Sequence, residues 1–312
     1  MPKNTSRTPT RILHNLRERG RSVATNTISY ADSKVGCSAD CYNAIFAIKA
    51  PPHEAFLACA IEPRARGASA VGQGLVKRLK YNDTERAYSV LVAPEVLFAR
   101  PDHLNLDVRD LRKLKGAYKK CGIDNAFGVT AVLNRPAACG MGFEAYVAHL
   151  AILFGPELNE DKLQSLERLL NTRYFANNAP PAMSYGLVDA DPARLLEACA
   201  RIFELSDRKA NSKATAKVAK ELGASQWKKS RPLRDFLRTQ ALASVSLKSL
   251  VVAHGDGERL ADNALNEGKH ALKRMAKASD QVIHRDQIAQ FSASELVRLG
   301  METVQLPFLR TR

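Results

Sequence analysis

The chain has 312 residues, of which 45% are apolar, enough for a core, and this excludes wholesale disorder. No apolar run reaches the roughly 18 residues of a membrane span, and basic residues 1–21 lack the apolar stretch of a secretory signal. A formal charge of +15 points to a polyanion partner, nucleic acid before anionic membrane, in a cytoplasmic protein.

Residues 1–35 read as a flexible basic arm, polar and without sustained apolar period. An apolar run at 42–49 follows, and residues 62–86, rich in Gly and charge, read as a loop. Gly72-Gln-Gly74 with Lys77 lacks the spacing of a phosphate-binding loop, which excludes nucleotide binding there. Residues 87–93 (AYSVLVA) predict a strand. Residues 107–121 predict an amphipathic helix through Val108, Leu111, Leu114, Tyr118 and Cys121, stopped at Gly122. Strands are predicted at 127–133 and 146–154, with breakers between them. A helix at 159–172, a weaker strand at 181–188 and a helix opening at Asp191-Pro192 complete the series.

Strand, helix, strand, strand, helix, strand, helix is the order of a ferredoxin-like split βαβ core, an α+β fold with an antiparallel sheet. On that reading residues 36–205 form one α+β domain, and the strand at 146–154 is central. Strict alternation sends Leu150, Ile152 and Phe154 to the helices, and Val147, His149 and Ala151 to an open face. Residues 206–302 read as a basic helical region, and 303–312 as a tail. Helices are predicted at 212–223, 232–244 and 257–278, and Gly223-Ala-Ser225 has the texture of a helix-turn-helix turn.

The charge concentrates at 1–30, 208–238 and 269–285, whose net charges of +5, +8 and +4 together exceed the total. A near-neutral module flanked by basic segments suits backbone contact with a nucleic acid. Lys213, Lys217, Lys220, Lys228, Lys229 and Arg231 are the expected phosphate contacts. Among the six cysteines only Cys37 and Cys41 are closely spaced, either half a zinc site or reduced thiols of a cytosolic protein. His149 on the open face can ligate a metal or orient a phosphate, with Glu144 five residues earlier near the same strand.

The stretch from Ser89 to Phe203 resembles the rolling-circle replication initiators of plasmids and phages, members of the HUH endonuclease superfamily. SVLVAPEVLF is similar to the family's first strand, GFEAYVAHLAILFG to its metal-binding strand, and PPAMSYGLVDADPARLLEACARIFEL to its last strand and nucleophile helix. The resemblance implies DNA as partner and, for an active nicking site, a divalent cation, Mn²⁺ or Mg²⁺, polarising a phosphate for a tyrosinate. Two departures stand out. The family's metal-binding strand has two histidines flanking an apolar residue, and here Val147, or Tyr146 with a one-residue gap, occupies the place of one beside His149. The family's helix bears a tyrosine and a nearby lysine, and here the tyrosine's place falls near Ala198 or Ala200, with Arg201 for the lysine. The expectation is therefore a DNA-binding, initiator-like protein of a mobile element with a degenerate nicking site. The alternatives are a non-catalytic structural or partner-binding protein, or an RNA-binding module using Tyr88 for stacking.

Overall fold

The computed structural model describes residues 8–35, 46, 58–81, 85–92, 109–136, 143–174, 183–206, 230–243 and 245–277. The fold is α+β. Its sheet has five strands, β1 (Arg86–Val92), β2 (Asn125–Pro136), β3 (Phe143–Gly155), β4 (Met183–Val188) and β5 (Val251–His254), in the order β4-β1-β3-β2-β5. Every neighbouring pair is antiparallel. β3 is central, as its apolar run predicts. It pairs with β2 in one unbroken register from Asn125↔Phe154 to Pro136↔Phe143. Without a bulge, alternation along the strand holds throughout. Gly128, Thr130, His149 and Ala151 share one face, and Phe127, Val129, Leu150, Ile152 and Phe154 share the other.

The Phe127 face is covered by helices from both ends of the chain. These are α1 (Pro9–Tyr30), α2 (Ile61–Tyr81), α5 (Pro192–Ile202), α6 (Arg231–Ala243) and α8 (Gly257–Lys277). Phe203, at the end of α5, stacks on Phe127 with centroids 5.8 Å apart, and Arg78 of α2 lies 5.2 Å from the Phe154 ring centroid.

The reading of 62–86 as a loop is corrected, because α2 occupies Ile61–Tyr81. Its buried Ala65, Ala68, Val71, Leu75 and Leu79 recur at helical spacing. Its glycines are contact points between elements. A β-carbon at Gly67 would come within 2.9 Å of Phe203, one at Gly72 within 2.8 Å of Leu196, and one at Gly74 would overlap Leu260. Close packing outweighs the helix propensity these glycines cost.

Residues 8–35 are likewise not a flexible arm. Pro9 opens α1 in its first turn, a π-helical turn (Ala31–Val35) ends it, and Ile12, Leu16, Val23, Ala24 and Thr27 are buried. Polar contacts fix it. Arg17 donates to both Glu62 oxygens at 2.6 and 2.9 Å, and Asn26 donates to Asp235 at 2.7 Å. Described elements after residue 206 join the same fold: α6 packs on α1, α8 packs on α2, and β5 extends the sheet beside β2.

The His149 face is also covered, by the crossover helices α3 (Arg109–Lys120) and α4 (Glu160–Leu169), the latter continued by a π-helical turn (Leu170–Tyr174). The expectation of an open face is corrected. Val147, His149 and Ala151 are 2%, 0% and 1% exposed. Helix ends follow the sequence signals. Gly122 at φ 63 ends α3 in a Schellman arrangement, with Ile123 N–H donating to Tyr118 C=O. Asn159 caps α4 by accepting from Lys162 N–H. Asp191 caps α5 by accepting from the N–H groups of Ala193 and Arg194. A short helix, α7 (Leu247–Leu250), leads into β5. No helix among the described residues is long and apolar enough to cross a membrane.

Candidate functional site

Two places gather unusual chemistry, and they lie on opposite sides of the sheet. The first is internal. His149 is buried between β3 and the crossover layer, in register with Thr130 on β2 and Val92 on β1. Its ring lies over Gly128 and takes the space a side chain there would need. Neither ring nitrogen has a hydrogen-bond partner among the described residues, and neither does the Thr130 hydroxyl. Burial pushes the His149 pKa down to about 3, so the ring is neutral at ordinary pH.

This geometry does not assemble the nicking centre that the resemblance implies. Glu144 and His149 are five positions apart on an unbroken strand, about 16 Å along it. Helix α5, whose ACAR segment the resemblance sets in the place of the nucleophile helix, packs on the Phe127 face and not on that of His149. Arg201 is exposed and donates to Glu197 at 3.0 Å, while Cys199 is buried, with its thiol pKa pushed up. Tyr185 lies on the His149 face, edge-on to Tyr88 at 6.5 Å between centroids. No group of three His, Cys, Asp or Glu side chains among the described residues is arranged to hold a metal ion. Among the described residues no such group accompanies His149, so these residues do not form a site for a divalent cation.

The other expected site residues divide by location. Lys213, Lys217, Lys220, Lys228, Lys229, Cys37 and Cys41 lie outside the described residues. Arg231 is half exposed and ties α6 to α1 through Ser22 at 3.1 Å. Cys59 is buried, its thiol pushed up to about 12 by desolvation, and donates weakly to Thr239 C=O. Tyr88 is 3% exposed and offers no stacking surface, which removes the open-sheet basis for RNA binding.

The second place is a surface groove of about 1030 Å³ between α2 and α8. The helices are antiparallel and very close, with Gly74 against Leu260 and Gly268 against Pro63. Arg66, Ser69, Gln73 and Lys77 form one wall at spacings of three and four. Arg259, Asn263, Asn266 and His270 form the other in the same way. Arg78 anchors one end. It donates to both oxygens of Glu85 at 2.7 and 2.9 Å and also bonds Asp256, so it is committed to structure. Arg66 bonds Glu62 at 2.9 Å. Lys77 and Arg259 are exposed and make no salt bridge among the described residues. The field of Arg259, after the bond from Arg78, helps hold the Asp256 carboxyl below its usual range. The groove thus offers cations without a salt bridge among the described residues and a row of side-chain amides, with Glu267 the single acid in its lining and no Phe, Tyr or Trp.

Sequence reasoning missed this groove because it read α2 as a loop. The signal was present in the polar stripe Arg66, Ser69, Gln73, Lys77, which is helical in period. No family model, curated protein or solved structure matches the chain.

Proposed function

We propose that this is a non-nicking DNA-binding protein, of the replication-initiator type that the sequence resembles, which grips the phosphate backbone through the α2–α8 groove. The observation that carries the reading is the pairing of exposed Lys77 and Arg259 with the amides of Gln73, Asn263 and Asn266 on two facing helices. Lysine and arginine neutralise phosphates, and amides hydrogen-bond phosphate and sugar oxygens. The lining holds no Phe, Tyr or Trp, the larger stacking surfaces, which favours duplex over single strand. The net charge of +15 supplies long-range attraction to the same partner.

The experiment is fluorescence anisotropy with labelled duplex, single-stranded and hairpin DNA, titrated in salt. Wild type is expected to bind duplex with a steep salt dependence. The Lys77→Glu/Arg259→Glu double variant is expected to lower the log–log salt slope by about 2, since each phosphate contact contributes about 0.9. Unchanged affinity and slope in that variant would defeat the groove as the site. With Mn²⁺ and a nickable hairpin, no covalent adduct is expected; an adduct would show that a catalytic centre exists elsewhere in the chain.

A further inference from the structure

Helix α3 lies in the other layer, yet it is the most basic described helix. Its twelve residues hold six Lys or Arg and one Asp. Leu114, Ala117 and Tyr118 are buried, while Lys113, Lys115, Gly116, Lys119 and Lys120 are exposed. Lysines in the last turn complement the helix dipole and need no other reason. One feature of the exposed face is not explained that way. Gly116 interrupts the helix at a position where any residue but proline would favour it.

The other described helix glycines have a packing reason. Gly20 meets Ile61 at 3.1 Å and Gly268 meets Pro63 at 3.4 Å, while Gly67, Gly72 and Gly74 meet Phe203, Leu196 and Leu260. At Gly116 a β-carbon would meet nothing within 4 Å. It is flanked by Lys119 at i+3 and Lys120 at i+4, the positions that neighbour it on the helix surface. The missing side chain leaves room for an anion to sit against these ammonium groups. Local rules of helix formation tend to be broken where a surface serves binding.

The patch is also joined to the groove. Lys115 makes an ion pair with Glu258 in the first turn of α8, next to Arg259, which lines the groove. Both α3 and α8 pack against β5. The two basic surfaces therefore flank one edge strand from the two layers.

We propose that the exposed face of α3 centred on Gly116 is a second phosphate-binding surface, contacting the same duplex that the α2–α8 groove holds. This rests on the groove reading. Together the surfaces straddle the β5 edge, and the duplex runs from one to the other.

The test compares three proteins by anisotropy on duplex DNA in a salt series: Lys119→Gln/Lys120→Gln, Gly116→Leu, and the groove variant Lys77→Glu/Arg259→Glu. Circular dichroism and the thermal midpoint check the fold. Gly116→Leu is expected to keep or raise the midpoint, since leucine favours helix, and to weaken binding by about threefold to tenfold by blocking approach. The lysine double variant is expected to lower the log–log salt slope by about 2. Full affinity and slope in both α3 variants, with loss in the groove variant, would overturn the second surface and leave the groove reading standing. Full binding in all three would overturn both. Loss in the α3 variants with wild-type behaviour of the groove variant would place DNA on α3 alone, against the straddling arrangement.

Discussion

The two faces of the sheet are built on different principles. On the Phe127 face, helices approach so closely that glycines replace side chains at the crossings. Phe127, Phe154 and Phe203 are fully or almost fully buried there. On the His149 face, the crossover layer encloses polar groups without hydrogen-bond partners among the described residues: both His149 nitrogens, the Thr130 hydroxyl, and the Tyr118 hydroxyl of α3. Polar atoms left unpaired in a core cost stability, whereas close apolar packing supplies it. The first face therefore gains from its close contacts, while the unpaired polar atoms of the second subtract from what its apolar side chains supply. The groove lies on the outer side of the tightly packed layer, so its two walls are held at fixed separation.

This contrast orders the expected effects of substitution. The largest belong to the Phe127 face, and one of them is Gly257→Ala, at the start of α8. A β-carbon there would overlap the Ala126 carbonyl oxygen, a backbone atom that cannot rotate away. The expected loss is about 3 kcal/mol or more, at the upper end for overpacking, read from urea denaturation. A midpoint near wild type would show that α8 is not clamped to β2. Phe127→Ala, which removes the stack on Phe203, is expected to cost about 3–5 kcal/mol by the same measurement.

On the other face the expectation changes in kind. His149 has a folded pKa of about 3 against an ordinary value of 6.5. Above pH 6.5 the ring is neutral in both states. Below it the unfolded chain takes up the proton first, so stability falls as pH drops from 6.5 toward 3, by at most about 1.4 kcal/mol per pH unit. His149→Leu is expected to remove that component of the pH dependence and to be near neutral at pH 7, because it replaces an unpartnered polar ring with an apolar group. An unchanged pH profile in the variant would mean that His149 is solvated or paired. A wild-type protein stabilised at neutral pH by Mn²⁺, with the effect lost in His149→Leu, would restore the histidine as a ligand. The smallest effect is that of Tyr118→Phe. The hydroxyl is buried without a partner and burial raises its pKa, so its removal is expected to shift stability by less than about 1 kcal/mol, in the stabilising direction. A loss of several kcal/mol would reveal a hydrogen bond at that hydroxyl.

The sequence legibly carried the α+β class and nearly every element of the sheet domain. β1, α3, β3, α4, β4 and α5 fall where periodicity and caps place them, within a few residues. The apolar run of β3 correctly announced a central strand, and Gly122, Asn159 and Asp191 correctly announced helix ends. Helices α6 and α8 also match their predicted spans. These features are local: each depends on side-chain period or capping within a few residues.

Tertiary structure decided the rest. Alternation along β3 correctly separates His149 from Phe154, yet nothing in the strand tells which face is covered, and in the folded chain both are. Propensity alone reads the glycines of α2 as breakers, but their worth comes from Phe203, Leu196 and Leu260, which are distant in sequence. The polarity of α1 suggests a free arm, until Arg17 meets Glu62 and Asn26 meets Asp235. The groove has the same origin. Its cations and amides lie about 180 residues apart on α2 and α8, and only the close packing of Gly74 on Leu260 makes them one surface.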